Sequence, residues 1–169
     1  CIGCGVCVSI CESKSLTMVW SKYGLYEPKE INNTCNGCGE CFKICPFSAG
    51  LGSNLVFDDE NTLAEGLFLS QNRCKSKVIG QYISLYAGYS YDYRQSSSSG
   101  GIATWVLSKL LENKIVDHIC AVLPNQGGVS PFFQYKILSE VDELAIASKT
   151  RYYPAHIADV MSTILAKQG

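Results

Sequence analysis

The sequence predicts a small α+β module at the N-terminus, followed by a partial α/β domain. The first observation is the placement of the 10 cysteines, of which eight lie in the first 45 residues. The second is an alternation of strand-like and helix-like patterns that starts near residue 77. We therefore expect residues 1–50 to form the module, residues 51–76 a linker, and residues 77–169 the second domain.

The composition disfavours several classes of protein. Hydrophobic residues make up 47% of the chain and charged residues 17%, which is typical of a globular protein. The net charge of -1 disfavours a nucleic-acid-binding protein. No apolar run reaches the roughly 18 residues of a membrane span, and the N-terminus lacks the basic start and long apolar stretch of a signal peptide. We expect a cytoplasmic protein whose chain continues beyond both ends of this sequence.

Two copies of one cysteine motif dominate the N-terminal module. Residues 1–11 and residues 35–45 both read C-x2-C-x2-C-x3-C, with glycine on each side of the second cysteine and isoleucine before the fourth. Three thiolates at steps of three residues, on a tight loop that glycine permits, can converge on three irons of one cluster. The repeated spacing therefore predicts two 4Fe–4S clusters in a ferredoxin-like module.

The fourth cysteine of each copy is predicted to serve the other copy's cluster, as it does in two-cluster ferredoxins. The first cluster is then bound by Cys1, Cys4, Cys7 and Cys45, and the second by Cys35, Cys38, Cys41 and Cys11.

Zinc and disulfide bonds are the alternatives to iron–sulfur clusters. Zinc sites usually combine two Cys-x2-Cys pairs, or cysteine pairs with histidine, and both His118 and His156 lie far downstream. A disulfide framework needs an oxidising compartment, for which the sequence carries no export signal. One position departs from the ferredoxin pattern, because Glu12 follows Cys11 where Pro46 follows Cys45.

A hairpin is predicted between the two cysteine motifs. Residues 16–20 and 24–28 read as two short strands joined by a turn. Such a hairpin would cover the clusters with Trp20, Leu25 and Tyr26, and burial and hydrogen bonds to sulfur set a cluster's potential. Plain packing is the favoured interpretation of these side chains.

The predicted linker holds one short helical turn near residues 63–69, and glycine and acidic residues interrupt its other patterns (Gly50, Gly52, Ser53 and residues 58–61). Cys74 lies between Arg73 and Lys75, where cations favour a thiolate, but an ordinary surface thiol is the favoured interpretation.

Strands and helices alternate in the second domain. Residues 78–79 and 83–87 read as strand, residues 102–111 carry the apolar stripe of an amphipathic helix, and residues 115–123 read as a mostly buried strand. This βαβ-like order predicts an α/β sheet. Residues 132–138 predict a further strand.

Two helices are predicted at the C-terminal end. Ser139 is expected to cap a short helix through Ala147, with Asp142 at the capping-box position, and the last helix starts near Ala155.

Three isolated side chains receive structural interpretations. His118 is expected within a strand, His156 at the solvent-facing start of the last helix, and Cys120 as a small buried hydrophobic residue.

A serine- and glycine-rich loop, residues 96–101, precedes the amphipathic helix. The backbone N–H groups and the dipole of a helix N-terminus suit a phosphate, and Arg94 is near enough in sequence to pair with the same anion. A helix cap followed by a flexible connector is the alternative. The loop is neither a Walker loop nor a G-x-G-x-x-G motif.

These motifs together resemble the coenzyme F420 hydrogenase/dehydrogenase beta-subunit family. The resemblance rests on the twin cysteine motifs, residues 87–90, residues 94–104, residues 110–112, residues 116–117 and residues 148–154, in this order. It implies a dicluster ferredoxin module, an α/β domain and a further C-terminal domain. Members are flavoproteins that pass electrons between 4Fe–4S clusters and FAD, in some cases on to coenzyme F420, and others occur with polysaccharide-biosynthesis genes.

The resemblance implies an iron–sulfur flavoprotein oxidoreductase that works with a redox partner protein or subunit. The alternative is a non-catalytic ferredoxin-type electron-transfer subunit. By resemblance, the flavin-phosphate loop consists of Arg94, Ser97, Ser98, Ser99, Gly100 and Gly101.

Overall fold

The computed structural model describes residues 1–48, 60–68, 73–125 and 131–167. The N-terminal module consists of helix α1 (Val6–Ser9), strands β1 (Leu16–Trp20) and β2 (Tyr26–Glu30), and helix α2 (Glu40–Lys43). Each short helix begins after a glycine in the left-handed region, Gly5 with φ 86° and Gly39 with φ 76°. The sequence repeat is therefore also a structural repeat.

The predicted hairpin is confirmed. Strands β1 and β2 pair antiparallel, with Leu16 opposite Glu30 and Trp20 opposite Tyr26. The second strand begins at Tyr26, two residues later than predicted, because the Ser21 N–H donates to the Leu25 C=O at 2.8 Å and keeps residues 21–25 in the turn.

The predicted linker contains more regular structure than expected. Helix α3 (Glu60–Phe68) replaces the predicted single turn, and strands β3 (Cys74–Ser76) and β4 (Gly80–Tyr82) form a small hairpin. Residue 69 of the predicted helical turn lies outside the described residues, as do Gly50, Gly52 and Ser53.

The strands predicted at residues 78–79 and 83–87 are wrong. Val78 and Ile79 lie in the turn between β3 and β4, where Val78 is 90% exposed, and residues 83–87 form no strand. A short apolar run forms a strand only where another strand lies beside it, and the run itself does not reveal that neighbour.

The second domain contains helix α4 (Ile102–Glu112), strands β5 (Ile119–Pro124) and β6 (Phe133–Leu138), a 3₁₀ turn (Val141–Glu143), and helices α5 (Leu144–Ala147) and α6 (Ala158–Lys167). Helix α4 and strand β6 agree closely with prediction, because their local periodicities are strong. Strand β5 begins later than predicted, at Ile119, and α6 begins at Ala158.

The predicted βαβ arrangement is wrong for the described residues. Strand β5 pairs antiparallel with β6, from Ile119 opposite Leu138 to Pro124 opposite Phe133, and β4 pairs with β3. Within the described ranges, no strand before α4 pairs with a strand after it. The chain is a mixture of helices and small antiparallel sheets.

Two local expectations near β5 and β6 are also corrected. Cys120 is exposed, because Ile119 and Leu123 face the core and the side chains of a strand alternate between its faces. The residue that caps the 3₁₀ turn is Glu140 and not Ser139, and the capping box is completed by Glu143 and not by Asp142.

Histidine 118 lies just before β5 and not within it. It is exposed, and its Nδ1 lies 2.9 Å from the Ser139 hydroxyl.

The hydrophobic core of the second domain joins α4, the β5–β6 hairpin and α5. Its buried members are Leu111, Ile119, Leu123, Leu138 and Leu144. Within the part of the chain that the structure describes, every helix is too short or too polar to cross a membrane.

Replacing Leu144 by alanine is expected to lower the free energy of unfolding by about 2–5 kcal/mol, the usual cost of a cavity in a packed core. Leu144 is only 1% exposed. The measurement is urea unfolding followed by circular dichroism. Leu165→Ala is the matched control, because Leu165 is 42% exposed and exposed substitutions usually change stability by about 0.5 kcal/mol or less. Equal losses in both variants would contradict this core.

Candidate functional site

A cavity of about 690 Å³ collects the cysteines of both motif copies. Seven of the eight predicted ligands line it: Cys1, Cys7, Cys11, Cys35, Cys38, Cys41 and Cys45. The eighth, Cys4, is half-buried beside it, and its C=O accepts a hydrogen bond of 2.8 Å from the Ile157 N–H. All ten cysteines of the chain are free thiols. The fold thus brings together residues that lie more than thirty positions apart in sequence.

Charge interactions show which cysteines of the two copies are neighbours. Burial raises the pKa of the Cys7 thiol, and Cys4, Cys41 and Cys45 raise it further. Burial likewise raises the pKa of Cys41, with smaller contributions from Cys11 and Cys38. Cysteines of the two motif copies are therefore neighbours, since Cys7 lies near Cys41 and Cys45, and Cys41 lies near Cys11.

Glycines give the two cysteine loops their shape. We call residues 1–7 the first cysteine loop and residues 35–41 the second. Gly3, Gly5, Gly37 and Gly39 have φ of 70°, 86°, 73° and 76°. These values lie in the left-handed region that glycine adopts without steric cost. Equivalent glycines thus bend both loops in the same way, so that the cysteines face one cavity.

Cys11 has an environment unlike that of the other ligands. Its Sγ lies 3.5 Å from the Ser13 hydroxyl and 3.3 Å from the Ser15 hydroxyl. These hydrogen bonds lower the pKa of the Cys11 thiol to about 7, with Ser13 as the largest cause. Cluster ligands must be thiolates, so Cys11 is the most readily ionised of the cysteines with a shifted pKa.

Alkylation of the cluster-free chain tests this difference. Because its pKa is lowered to about 7, Cys11 is expected to react with iodoacetamide with a midpoint near pH 7. Cys7 and Cys41, whose pKa values burial raises, should need a higher pH. Mass spectrometry of each alkylated cysteine gives the midpoints. Ser15→Ala should move only the Cys11 midpoint upwards, and an unchanged midpoint would contradict the role of the hydroxyl.

Trp20, Leu25 and Tyr26 do not line the cysteine cavity, which agrees with plain packing as their role. Leu16 and Pro28, at the far end of the hairpin, line the cysteine cavity together with Phe42 and Phe47. The hairpin therefore lines the cysteine cavity with the end away from its turn, while Tyr26 contacts the first cysteine loop at Gly3.

The turn end of the hairpin packs against the second domain. Trp20 stacks on Tyr153 with ring centroids 5.5 Å apart, and Tyr26 meets His156 edge-on at 4.7 Å. His156 is consequently half-buried and not solvent-facing as predicted, and its Nδ1 is buried without a hydrogen-bond partner in the described residues.

The donor set fits clusters of several iron atoms. Within the described residues, no three side chains of His, Cys, Asp or Glu converge closely enough to hold one metal ion. The cysteines surround a volume instead, and thiolates spaced around a cube of iron and sulfide require such a volume. Residues that would hold the clusters are therefore present.

A second cavity, of about 310 Å³, lies at the N-terminus of α4 and is called the groove here. Residues 97–101 and the first turn of α4 line it. The Oγ of Ser97 is buried there and forms no hydrogen bond to any described residue. The first N–H groups of a helix lack partners within the helix. Unpaired donors at one helix end fit a phosphate group.

Hydrogen bonds from two other segments fix the loop. The Ser148 hydroxyl donates to the Ser96 C=O at 2.8 Å, and the Thr150 N–H donates to the Ser98 Oγ at 2.9 Å. The Arg94 guanidinium donates to the Ser99 C=O at 3.1 Å, so Arg94 shapes the loop and is not among the residues that line the groove.

Ser148 and Thr150 both line the groove, and sequence reasoning did not assign them to it. The signal available in the sequence was the polar loop at residues 148–151.

The groove continues into a neighbouring cavity of about 250 Å³. The two share Ala103, Thr104, Ser148 and Thr150, and the continuation is lined by apolar side chains that include Leu107 and Leu144. A polar end beside an apolar one is the usual character of a cofactor site. Cys74 lines neither the groove nor the cysteine cavity, and it is exposed as predicted.

Comparison with known families matches two parts of the chain. Residues 1–49 match the 4Fe–4S dicluster domain, and residues 85–162 match the N-terminal domain of the coenzyme F420 hydrogenase/dehydrogenase beta subunit. A comparison with curated proteins found no match. The two family matches confirm the resemblance noted in the sequence.

Proposed function

We propose that this chain, which joins a 4Fe–4S dicluster domain to the N-terminal domain of the coenzyme F420 hydrogenase/dehydrogenase beta subunit, is part of an iron–sulfur flavoprotein oxidoreductase. The observation that carries the proposal is the cavity of about 690 Å³ in which the cysteines of both motif copies meet. Residues 1–50 form its ferredoxin-like module, residues 51–76 the linker, and residues 77–169 the flavin-associated domain.

The ligand roles follow the crosswise assignment. One cluster is held by Cys1, Cys4, Cys7 and Cys45, and the other by Cys35, Cys38, Cys41 and Cys11. The interactions of Cys45 with Cys7 and of Cys11 with Cys41 support this assignment.

The groove at α4 is the proposed flavin-phosphate site. Ser97 Oγ and the N–H groups of the first turn of α4 bind the phosphate, while Ser148 and Thr150 hold the loop in shape. The apolar continuation suits the flat ring of a flavin. A flavin exchanges a hydride's two electrons and can pass them singly to 4Fe–4S clusters, which carry one each.

The decisive experiment quantifies iron, acid-labile sulfide and flavin together in the full-length protein after anaerobic purification. We expect about eight iron and eight sulfide ions per chain for two 4Fe–4S clusters, with stoichiometric flavin. Zinc without sulfide would overturn the proposal. Clusters without flavin would support the ferredoxin-type electron-transfer subunit instead. Reduction of added coenzyme F420 distinguishes an F420-linked enzyme from one that acts in another pathway, such as polysaccharide biosynthesis, through a different redox partner.

Replacing Arg94 and Ser98 together by alanine is expected to weaken flavin binding about tenfold, since two hydrogen bonds that shape the loop are lost. Iron content should stay the same. The matched control replaces Arg73 and Ser84, which are exposed and do not line the groove. Fluorescence titration with the flavin measures the affinity, and an unchanged value would contradict the loop assignment.

A further inference from the structure

The two cysteine loops have equal backbone shapes but unequal surroundings. A Cβ added to Gly3 would lie 2.5 Å from the Tyr26 backbone oxygen, and one added to Gly5 would lie 3.1 Å from the Ala158 Cβ. The equivalent Gly37 and Gly39 have no described atom within 4 Å of such a Cβ. The hairpin and α6 therefore cover the first cysteine loop, and the described chain leaves the second open.

Hydroxyl groups add a second difference between the two sites. The Ser13 and Ser15 hydroxyls lie 3.5 Å and 3.3 Å from the Cys11 Sγ and 3.1 Å from each other, so both hydroxyls are within hydrogen-bond reach of this sulfur. Ser15 is 1% exposed and lines the cysteine cavity. Cys11 belongs, by the crosswise assignment, to the cluster of the second cysteine loop.

The other motif copy has no counterpart to these hydroxyls. Two and four positions after Cys45 the sequence has Phe47 and Ala49, where Ser13 and Ser15 follow Cys11. The intervening Ser48 donates its hydroxyl to the Phe42 C=O at 2.5 Å and not to a sulfur. Among the described residues, no hydroxyl hydrogen bond reaches the Cys45 Sγ.

Exposure and hydrogen bonding act on a cluster's potential in the same direction. Reduction adds one electron, and therefore one negative charge, to a cluster. Water and hydrogen bonds to the ligand sulfurs stabilise that charge and raise the reduction potential, whereas burial in a low dielectric lowers it. Both differences favour reduction at the second cysteine loop.

We propose that the cluster of the second cysteine loop has the higher reduction potential of the two, and that the Ser13–Ser15 hydroxyl pair raises it. This inference rests on the proposed function, because it requires both clusters. Ser13 and Ser15 are tuning residues, because they act through the Cys11 Sγ.

The location of the covered first cysteine loop indicates which of the two cluster sites is nearer the proposed flavin groove. Residues 150–157 run from the groove, where Thr150 binds Ser98, to the first cysteine loop, where the Ile157 N–H donates to the Cys4 C=O. The covered, lower-potential site is thus on the flavin side. The higher-potential site is the one that residues 1–48, 60–68, 73–125 and 131–167 leave open, and we assign the approach of a one-electron carrier protein to that side.

The test is a redox titration of the anaerobic full-length holoprotein with dithionite and mediators, followed by electron paramagnetic resonance. Ser13→Ala and Ser15→Ala, separately and together, should shift one of the two potentials downwards and leave the other and the iron content unchanged. Ser48→Ala is the matched control and should shift neither. Ser15 is fully buried, so its replacement is the greater risk to folding, whereas Ser13 is half-buried and Ser13→Ala tests the hydroxyl pair with little such risk. Ser13→Thr keeps a hydroxyl and should therefore have the potential of the unaltered protein.

Variants that retain only one cluster identify which of the two reduction potentials belongs to which site. Cys38→Ser retains the first site and should keep the lower potential, whereas Cys4→Ser retains the second and should keep the higher one. The inference is overturned if a fully loaded Ser13→Ala, Ser15→Ala protein keeps both potentials, or if the first site has the higher one. Absence of iron and sulfide from the unaltered protein would instead overturn the proposed function, and this inference with it.

Discussion

The Cys38→Ser protein is expected to contain roughly half the iron of the unaltered protein, or to retain a smaller cluster at one site, because one of eight thiolate ligands is lost. Cys38 is the middle cysteine of the second loop and lines the cysteine cavity. A serine hydroxyl is not a thiolate and binds iron poorly at neutral pH. Iron and sulfide analysis, with an anaerobic absorption spectrum, measures the loss.

Cys74→Ser is the matched control for this experiment. Cys74 is an exposed free thiol in β3 and lies outside the cysteine cavity. Iron content should therefore be unchanged. Equal iron in the two variants, whether full or reduced, would contradict the ligand set. A loss in Cys74→Ser alone would place a ligand where neither the motif spacing nor the cavity places one.

The parts of the fold that the sequence predicted correctly depend on local patterns. The two copies of the cysteine motif form loops of the same backbone shape, because glycines at the same positions in each copy adopt left-handed φ values within a few residues of one another. Helix α4 and strand β6 were predicted because their apolar periodicities are complete within each segment. Strand pairing was not predictable in this way. The βαβ expectation failed because β5 pairs with the later strand β6, and order along the chain does not determine that choice.

The same division separates the predicted site residues from the missed ones. The eight cysteines were predicted as ligands because their spacing is itself the signal. Thr150 was missed because its bond to Ser98 joins residues 52 positions apart. The stacking of Trp20 on Tyr153 is also a contact between distant segments, and the sequence did not predict its partner. Ser13 and Ser15 lie close to Cys11 in sequence, and comparison with Phe47 and Ala49 at the equivalent positions of the repeat was the signal available for them.

Replacing Gly101 by alanine is expected to have the largest effect at the groove. Gly101 is the N-cap of α4 with φ 76°, and a Cβ there would lie 2.8 Å from the Tyr93 carbonyl carbon and 2.9 Å from its oxygen. Backbone cannot move aside as a flexible side chain does, and a left-handed alanine is itself strained by about 1–2 kcal/mol. The start of α4 must therefore shift, and with it the N–H groups proposed to bind the phosphate.

We expect Gly101→Ala to lower flavin affinity at least about tenfold, the equivalent of 1.4 kcal/mol, and to leave iron and sulfide unchanged because the cysteine cavity shares no lining residue with the groove. Gly88→Ala is the matched control. Gly88 also lines the groove, but its φ is not in the left-handed region and a Cβ there meets no described atom within 4 Å. Fluorescence titration with flavin, beside iron analysis of the same samples, measures both quantities. If both variants bind flavin with unaltered affinity, the phosphate does not bind at the N-terminus of α4. If both lose it equally, the geometry at Gly101 is not the cause.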